Sequence, residues 1–259
     1  MAIGRHGVTE CVWITGASSG IGRAVALELA RAGRLVVASA RRAEALDELA
    51  QEAAGLPGTI HGLPLDVTVA SDVAAAVAHI EAEIAPIGTA ILGAGTYRHD
   101  SAETISARDL DVVMRLNLLG VIHALEALVP RMVGRGGGHL VAVASLAAYR
   151  GLPHAAAYGA SKAALITYCE ALRPQLKRKG IIVQVVNPGF VRTPLTDRND
   201  FPMPFLMDVD AAARALVRGL GSKRFEIVFP RRFAYLMKLL RIAPYWLYFR
   251  ITRRMVRDT

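Results

Sequence analysis

Short apolar runs alternate with segments of helical periodicity along most of this sequence. Between the runs, apolar residues recur at the three- and four-residue spacing of a helix that buries one face. Such alternation predicts βαβ units with right-handed crossovers. We therefore expect an α/β fold with a single doubly wound parallel sheet and helices on both faces. The predicted strands lie at 11–15, 35–40, 60–65, 89–92, 139–145, 181–190 and 225–229.

The length and composition of the chain are those of one large domain. A chain of 259 residues, 53% of them hydrophobic, can bury a sheet that is covered on both faces. The two cysteines, Cys11 and Cys169, indicate neither a disulfide framework nor a metal site, so we expect a reducing, cytoplasmic location. The sequence predicts no signal peptide and no membrane-spanning helix. We place one domain at 1–230 and a tail that is not an independent domain at 231–259.

The excess of positive charge is confined to the end of the chain. The formal net charge is +9, and residues 222–259 contribute +8 of it, with ten basic residues and two acidic ones. The rest of the chain is nearly neutral, with 21 basic and 20 acidic side chains. A nucleic-acid-binding domain is expected to carry its basic residues across the binding face. The distribution therefore argues against nucleic acid as a partner.

The tail at 231–259 combines this charge with apolar side chains. Phe233, Met237 and Leu240 repeat at helical spacing. Pro244 interrupts the pattern, and aromatic residues follow at 245–249. Apolar and aromatic helices that carry Lys and Arg suit the surface of an anionic bilayer. Two interpretations are therefore open, namely peripheral contact with a membrane, or packing on the body at the substrate pocket or at a subunit interface.

Small and polar residues directly follow most of the predicted strands. In an open parallel sheet, ligands bind beyond the carboxyl ends of the strands. Residues that are far apart in the sequence are therefore expected to line one crevice. The candidates are the glycine-rich loop at 16–22, Arg41, Asp66, the turn at 93–95, Ser145 and the turn at 187–189.

The first predicted strand leads into a glycine-rich turn, TGASSGIG at 15–22. Small residues allow the backbone to turn tightly and to approach a pyrophosphate, and the amides that begin the next helix favour an anion. This pattern predicts a dinucleotide site, although an ordinary strand-to-helix turn would also explain the glycines taken alone. The candidate cofactor-binding residues of the turn are Gly16, Ser18, Ser19, Gly20, Ile21 and Gly22.

Two arginines follow the second predicted strand. An acidic side chain in this place accepts hydrogen bonds from the adenosine ribose, whereas an arginine suits a 2′-phosphate. The sequence has Arg41 and Arg42 here and no acid, and we expect Arg41 to face the cofactor. The cofactor predicted is therefore NADP(H) in preference to NAD(H). The alternative is that both arginines are solvated residues at the start of a helix.

A serine, a tyrosine and a lysine follow the fifth predicted strand. Tyr158 and Lys162 lie four residues apart in a predicted helix, which places the phenol and the ammonium on one face. A cation held beside a phenol lowers its pKa from about 10 toward the range of a general acid or base. Ser145, at the end of the strand, is placed to orient a carbonyl or alcohol oxygen. These side chains predict proton transfer at a carbonyl/alcohol pair.

Taken together, these motifs resemble those of the short-chain dehydrogenase/reductase family over about residues 1–230. The family motif TGxxxGIG is met at 15–22, and the serine followed by YxxxK is met by Ser145, Tyr158 and Lys162. The resemblance implies that the domain at 1–230 is a Rossmann-like dinucleotide-binding and catalytic domain. It also implies a nicotinamide dinucleotide as the cofactor.

Further positions match the family, and one motif departs from it. Where the family usually has NNAG, this chain has LGAG at 92–95, so the bonds that the two asparagines make must come from elsewhere. Asp66 and Val67 resemble the pair that contacts the adenine ring. The resemblance extends to Asn117 in NLLG, to Ala94 and Gly95 in the turn, and to Asn187, Pro188, Gly189, Val191 and Thr193 after the sixth strand.

The resemblance implies a role for each catalytic position. Tyr158 exchanges a proton with the substrate oxygen, and Ser145 holds that oxygen. Lys162 binds the nicotinamide ribose and lowers the pKa of Tyr158. Asn117 helps to keep a proton-relay water near Lys162. Tyr158 and Lys162 are therefore expected to take part in both catalysis and cofactor binding.

We expect an oxidoreductase that transfers a hydride between NADP(H) and the carbonyl or secondary alcohol of an apolar small molecule, with lipids among the candidates. A homodimer or homotetramer is usual in the resembling family. The alternative is a protein without catalysis, either a dinucleotide sensor or a membrane-surface scaffold on the same fold. The intact serine, tyrosine and lysine argue against that alternative, because a sensor does not need them.

The segment at 190–208 is a candidate lid over the substrate. It contains prolines and is rich in Phe, Leu and Met, and methionine side chains adapt to substrates of varied shape. Simple packing of this loop on the core is an equally open interpretation. The expected apolar wall consists of Phe201, Met203, Phe205, Leu206 and Met207.

Overall fold

A single sheet of seven parallel strands runs through the protein, seen here in a computed structural model that describes residues 9–197, 202–222 and 224–256. The strands are β1 (Cys11–Thr15), β2 (Leu35–Ala40), β3 (Thr59–Pro64), β4 (Ile87–Leu92), β5 (Gly138–Val143), β6 (Ile181–Pro188) and β7 (Glu226–Phe229). Their order in the sheet is β3-β2-β1-β4-β5-β6-β7, and every neighbouring pair is parallel.

Helices cover both faces of this sheet, which confirms the doubly wound α/β fold predicted from the sequence. The helices are α1 (Gly20–Arg31), α2 (Ala43–Glu52), α3 (Ala70–His79), α4 (Ala107–Met114), α5 (Gly120–Gly134), α6 (Ala156–Lys177), α7 (Val209–Leu220), α8 (Arg231–Ile242) and α9 (Tyr245–Thr252). Alternate residues of a strand point to opposite faces, and β1 shows this clearly. Trp13 is buried in one core, with residues of α3, α5 and α6, and Ile14 in the other, with residues of α1, α2 and α7.

Helices α4 and α5 form one continuous helical stretch with a wider turn in its middle. The five residues Arg115–Leu119 make π-helical hydrogen bonds, and Asn117 is buried within that turn. Among the described residues, the stretch Ala107–Gly134 is the one long and apolar enough to cross a bilayer by length and composition alone. Leu128 of this stretch is fully buried in the core of the domain, and a core helix meets the same criteria.

Helices α8 and α9 pack against the body of the domain. Ala234, Met237 and Leu240 of α8 and Tyr248 of α9 are buried and belong to the core on one face of the sheet. The inner side of the predicted tail is therefore part of the domain core, in agreement with the packing interpretation. Its outer side is exposed.

Arg150 joins this C-terminal pair of helices to the loop that follows β5. Its guanidinium donates hydrogen bonds to the carbonyl oxygens of Leu240 (2.8 Å) and Arg241 (3.0 Å) and to that of Ala243. The same group lies 4.1 Å from the ring centre of Tyr248, a cation–π distance. The last carbonyls of a helix have no partner within it, so Arg150 caps the C-terminus of α8.

Replacement of Arg150 by alanine should loosen α8 and α9. The variant loses charge-assisted hydrogen bonds and the ring contact, and we expect the free energy of unfolding to fall by roughly 2 kcal/mol. Thermal and urea unfolding would measure the change. Arg108→Ala, at an exposed residue in the first turn of α4, is the control and should leave stability nearly unchanged. Equal stability of the two variants would contradict the capping role of Arg150.

Candidate active site

A crevice of about 540 Å³ opens at the carboxyl ends of the strands. It brings together all the predicted cofactor-binding residues, although they come from the ends of five different strands and from the first turns of α6. Among the predicted catalytic residues, Asn117 lies outside this lining. The predicted residues that line the crevice are Gly16, Ser18, Ser19, Gly20, Ile21, Gly22, Arg41, Asp66, Val67, Ala94, Gly95, Ser145, Tyr158, Lys162, Pro188, Gly189, Val191 and Thr193.

The glycine-rich turn after β1 packs directly on the turn after β4. Gly16 has φ +77°, and a Cβ atom at this position would lie 2.7 Å from the nitrogen of Ala94. Both the backbone conformation and the contact therefore require glycine. The Thr15 hydroxyl accepts hydrogen bonds from the amides of Gly93 (3.1 Å) and Ala94 (3.3 Å). Thr15 thus braces the turn in which this chain lacks the two family asparagines.

The N-terminus of α1 faces the crevice. Ser19 is the N-cap residue, and the first turn of α1 contains no acidic side chain. Unpaired amides at a helix N-terminus and the helix dipole both favour an anion. Gly20 has φ +56°, a conformation that suits glycine. This end of the crevice is therefore built to accept a phosphate group.

Basic residues lie at the end of the crevice beyond β2. Arg41 and Arg42 are exposed, line the crevice, and form no salt bridge with any described residue. Burial alone would raise the pKa of Asp66, but hydrogen bonds from the Thr68 hydroxyl and amide, together with the charge of Arg41, hold it below its usual value. Arg41 therefore lies close enough to Asp66 to influence it, beside the predicted adenine position.

Ser145, Tyr158 and Lys162 meet at the centre of the crevice. Ser145 follows β5, while Tyr158 and Lys162 project from the first turns of α6. The Ser145 hydroxyl lies close enough to the Tyr158 phenol to affect its ionisation, and it accepts a hydrogen bond of 3.1 Å from the Ala147 amide. The Lys162 ammonium lies 5.9 Å from the centre of the Tyr158 ring and donates a hydrogen bond of 2.8 Å to the carbonyl oxygen of Val143.

Burial dominates the ionisation of Tyr158 and Lys162. It raises the pKa of the Tyr158 phenol, and the neighbouring Ser145 hydroxyl opposes this rise. Burial also lowers the pKa of Lys162 to about 8. Loss of solvent around the phenol thus sets the direction of the Tyr158 pKa in this structure, and the lowering expected from a neighbouring ammonium is not seen. Tyr158 is accordingly a protonated donor at neutral pH.

Asn117 lies behind the crevice wall and braces the chain after β4. Its side-chain oxygen accepts a hydrogen bond from the Thr96 amide (2.8 Å), and its nitrogen donates to the Thr96 carbonyl and to Ser161, both at 3.0 Å. The absence of a Cβ at Gly95 leaves room there, since such an atom would lie 3.2 Å from Asn117 and 3.4 Å from the Lys162 ammonium. Asn117 is therefore near Lys162, with its polar atoms engaged by protein partners.

Sequence reasoning missed Asp100, which anchors the catalytic helix. Its carboxylate accepts hydrogen bonds from the amides of Ala156 (2.9 Å) and Ala157 (2.6 Å) at the start of α6. A carboxylate at a helix N-terminus satisfies free amides and complements the dipole. Because Asp100 lies more than 50 residues from α6 in the sequence, no local capping pattern reveals it.

Tyr97 was also missed, and it contacts the catalytic tyrosine. Its ring meets the Tyr158 ring edge to face, with centroids 5.5 Å apart. Its hydroxyl donates a hydrogen bond of 2.8 Å to the carbonyl oxygen of His154. Tyr97 therefore lies beside the reaction centre, in a segment of the sequence that carries no recognisable motif.

The predicted lid supplies part of an aromatic wall near the crevice. Phe205 stacks on Phe233 of α8 with ring centres 6.0 Å apart, and Phe190 stacks on the same ring at 5.5 Å. The Met207 amide donates a hydrogen bond of 3.0 Å to the carbonyl oxygen of Phe190. Phe201 lies outside the described residues. Phe233 comes from the predicted tail, and its position agrees with the interpretation that the tail packs on the body near the substrate pocket.

The end of β6 is held by a polar network that is only partly buried. The Asn187 side chain donates a hydrogen bond of 2.6 Å to the carboxylate of Glu226 in β7. The same carboxylate accepts hydrogen bonds from Tyr149 and from Lys238 of α8. Helix α8 is therefore linked through Glu226 to the residue that precedes Pro188 and Gly189.

This fold and site define a family. A family model described as short chain dehydrogenase matches residues 10–201. An uncharacterized oxidoreductase from Myxococcus xanthus is 38% identical over 242 residues, which cover 93% of this chain and 96% of that protein. The chain therefore belongs to the short-chain dehydrogenase/reductase family, as its motifs indicated.

Other relatives agree with this assignment. The 3-oxoacyl-[acyl-carrier-protein] reductase FabG of Thermotoga maritima is 35% identical over 185 residues, covering 71% of this chain and 75% of that protein. The structure of a short-chain dehydrogenase from Sphingobium yanoikuyae in complex with NADPH superposes with a TM-score of 0.78 at 29% identity, covering 91% of this chain and 97% of that one. The protein is an NAD(P)-dependent oxidoreductase with a Rossmann fold.

The residues present fit a nicotinamide dinucleotide. The turn around Gly16 keeps side chains away from the phosphate position, and the N-terminus of α1 supplies free amides there. Asp66 and Val67 lie where the adenine ring is expected, and Gly95 leaves space beside Lys162. The free amides fit the phosphates of such a cofactor, and the space beside Lys162 fits its nicotinamide end.

Replacement of Lys162 by methionine should change how stability depends on pH. The pKa of Lys162 falls from 10.5 in the unfolded chain to about 8 in the folded protein. Below pH 8 the folded protein therefore carries the full cost of a buried cation, and this cost disappears as the pH rises to about 10.5. Relative to Lys162→Met, the wild type should gain up to roughly 3 kcal/mol across this range.

Urea unfolding of the cofactor-free proteins at several pH values would measure this gain. Lys177→Met, at an exposed position of the same helix, is the control and should show no comparable pH dependence. A difference between wild type and Lys162→Met that stays constant from pH 8 to 10.5 would contradict the lowered pKa of Lys162.

Proposed function

We propose that this protein is an NADP(H)-dependent carbonyl reductase that acts on an apolar small molecule. The observation that carries the proposal is that Ser145, Tyr158 and Lys162 line one crevice together with the glycine-rich turn. A dinucleotide sensor or scaffold would need the turn but not the tyrosine and serine. We therefore favour catalysis over these alternatives.

The chain's own residues supply proton transfer and positioning. Bound NADPH supplies the hydride in such a reaction. Ser145 is placed to hold the substrate carbonyl oxygen by a hydrogen bond, and Tyr158 to donate its proton to that oxygen as the alcohol forms. The raised pKa of Tyr158 keeps its proton in place until the oxygen becomes basic. Lys162 is placed to bind the nicotinamide ribose, and Asn117 holds the chain beside it.

Replacement of Tyr158 by phenylalanine should lower kcat for ketone reduction by at least about a hundredfold, because the proton donor is lost. NADPH should still bind, as measured by fluorescence titration, because the crevice keeps its shape. Tyr168→Phe, at an exposed position of the same helix, is the control and should remain active. Undiminished turnover by Tyr158→Phe would refute the role of Tyr158, and a wild type inactive on every ketone of a broad panel would favour the sensor.

The preference for NADP(H) is supported by the charges at the end of β2. Arg41 and Arg42 line the crevice there and form no salt bridge with a described residue, and no acidic side chain follows β2 at the place that would bind a free ribose. An arginine in this position suits a 2′-phosphate. The relative from Sphingobium yanoikuyae was solved with NADPH, which agrees with this preference.

The Arg41→Ala variant should bind NADPH about ten- to a hundredfold more weakly, since one charge-assisted contact to the 2′-phosphate is lost. Affinity for NADH should hardly change, and isothermal titration with both cofactors would show the difference. Arg178→Ala, at the exposed end of α6, is the control. An equal loss of affinity for NADH and NADPH would mean that Arg41 does not bind the 2′-phosphate.

An apolar substrate is supported by the aromatic wall of Phe190, Phe205 and Phe233. The similarity to a 3-oxoacyl reductase points in the same direction, and we propose a ketone with an aliphatic chain. We further propose a homodimer or homotetramer and a cytoplasmic enzyme that makes peripheral contact with the membrane through 231–259. Nucleic acid is not proposed as a partner, because the positive charge is confined to this tail.

A further inference from the structure

Helices α8 and α9 present an apolar surface to solvent. We call this surface the docking face, defined by Tyr235, Leu239, Ile242, Tyr245, Trp246 and Phe249, whose exposed fractions range from 59% to 79%. In α8, Tyr235, Leu239 and Ile242 follow at intervals of four and three residues and therefore share one side. The opposite side of α8 is buried through Ala234, Met237 and Leu240. A helix that is apolar on both sides needs a partner for its outer side.

Positive charge surrounds the docking face. No acidic residue occurs between Arg231 and Val256. Lys238 is paired with Glu226. The exposed arginines that form no salt bridge with a described residue are Arg231, Arg232, Arg241, Arg250, Arg253 and Arg254.

We propose that the docking face binds an anionic lipid bilayer. Aromatic and aliphatic side chains insert at the boundary between headgroups and acyl chains, and the surrounding arginines bind lipid phosphates. A second copy of the chain fits this surface less well. In a symmetric dimer the same patch meets itself, so the arginines of both copies would face one another without acidic partners.

The docking face is also joined to the active site. Phe233, two residues before Tyr235, points to the other side of α8, where a Cβ atom added to Gly189 of the crevice would lie 2.8 Å from its ring. Arg150 and Tyr248 bind α8 and α9 to the loop between Ser145 and Tyr158. A bilayer held on the outer side of α8 is therefore separated from the substrate end of the crevice by this one helix.

This geometry allows an apolar substrate to enter from the bilayer. The aromatic wall of Phe190, Phe205 and Phe233 continues from the crevice to α8. An aliphatic ketone would then pass from the lipid to the reaction centre without crossing water. This part of the inference rests on the proposed reductase function, whereas binding to the bilayer does not.

The test should use point substitutions in the full chain. Deletion of 231–259 removes buried core residues and would confuse unfolding with loss of binding. Leu239→Asp/Ile242→Asp places two charges on the docking face at positions whose side chains are exposed. Val69→Asp is the matched control. It makes the same kind of change at the N-cap of α3, where Asp is favoured, in a helix that packs on α5.

Co-sedimentation should show wild type and Val69→Asp bound to vesicles of phosphatidylcholine and phosphatidylglycerol, and less protein bound to phosphatidylcholine alone. The double variant should bind the mixed vesicles at least about tenfold more weakly. A fluorescence readout is also available, because Trp13 is buried and Trp246 is exposed. Emission of the wild type should shift to shorter wavelength with mixed vesicles, and Trp246→Phe should lose that shift.

Folded wild type that neither sediments with mixed vesicles nor shifts its emission would overturn the proposal. It would also be overturned if sedimentation velocity without lipid showed that Leu239→Asp/Ile242→Asp dissolves an oligomer while the wild type ignores vesicles. In that case the docking face is an interface between copies.

Substrate entry is tested with a short soluble ketone and a long-chain ketone dissolved in the mixed vesicles. The wild type should reduce both, and the double variant should match it on the soluble ketone but be about tenfold slower on the vesicle-borne one. Equal rates on both substrates would refute entry from the bilayer while leaving the reductase intact. A wild type inactive on both would instead refute the proposed function. Vesicle binding would still be tested independently by co-sedimentation.

Discussion

The crevice depends on the close approach of two backbone turns. β1 and β4 are neighbours in the sheet, yet the chain leaves them toward opposite sides, so a cleft opens above their ends. Gly16 packs on the backbone of the turn at 93–94, and the Thr15 hydroxyl accepts hydrogen bonds from the amides of the same turn. A larger residue at 16 would push the two turns apart. The phosphate position, the space beside Lys162 and the orientation of Asn117 all rest on this contact.

Local patterns were sufficient to predict the fold and most of the site. The glycine-rich turn, the Tyr158–Lys162 spacing and the apolar strand runs each follow from chemistry within a few residues of the chain. Parallel strands then bring their ends together by topology, so the crevice could be foreseen as well. Arg41 could be singled out because an arginine replaces an acid there.

The parts that escaped prediction depend on contacts between distant segments. Asp100 caps α6, and Thr15 braces the turn after β4, yet neither partner can be read from neighbouring residues. The direction of the Tyr158 pKa was not foreseen either, because it is set by burial, and burial is a property of the folded protein. The sequence left open whether the tail packs near the substrate, and the contact of the Phe233 ring with Gly189 agrees with that packing interpretation.

The chemistry and the tail belong to one structural unit. Arg150 caps α8 from the loop that separates Ser145 and Tyr158, and Glu226 joins Lys238 to the turn before Pro188. Helix α8 is therefore joined by hydrogen bonds to the two segments that flank the reacting groups.

Transfer of a labelled hydride would test the central claim most directly. The protein would be incubated with a long-chain ketone and NADPH in which both hydrogens at C4 of the nicotinamide are deuterium, and the product examined by mass spectrometry. Our account predicts an alcohol with deuterium on the former carbonyl carbon, formed in step with oxidation of the cofactor. Oxidation of NADPH without a labelled alcohol, or an alcohol that contains no deuterium, would contradict it.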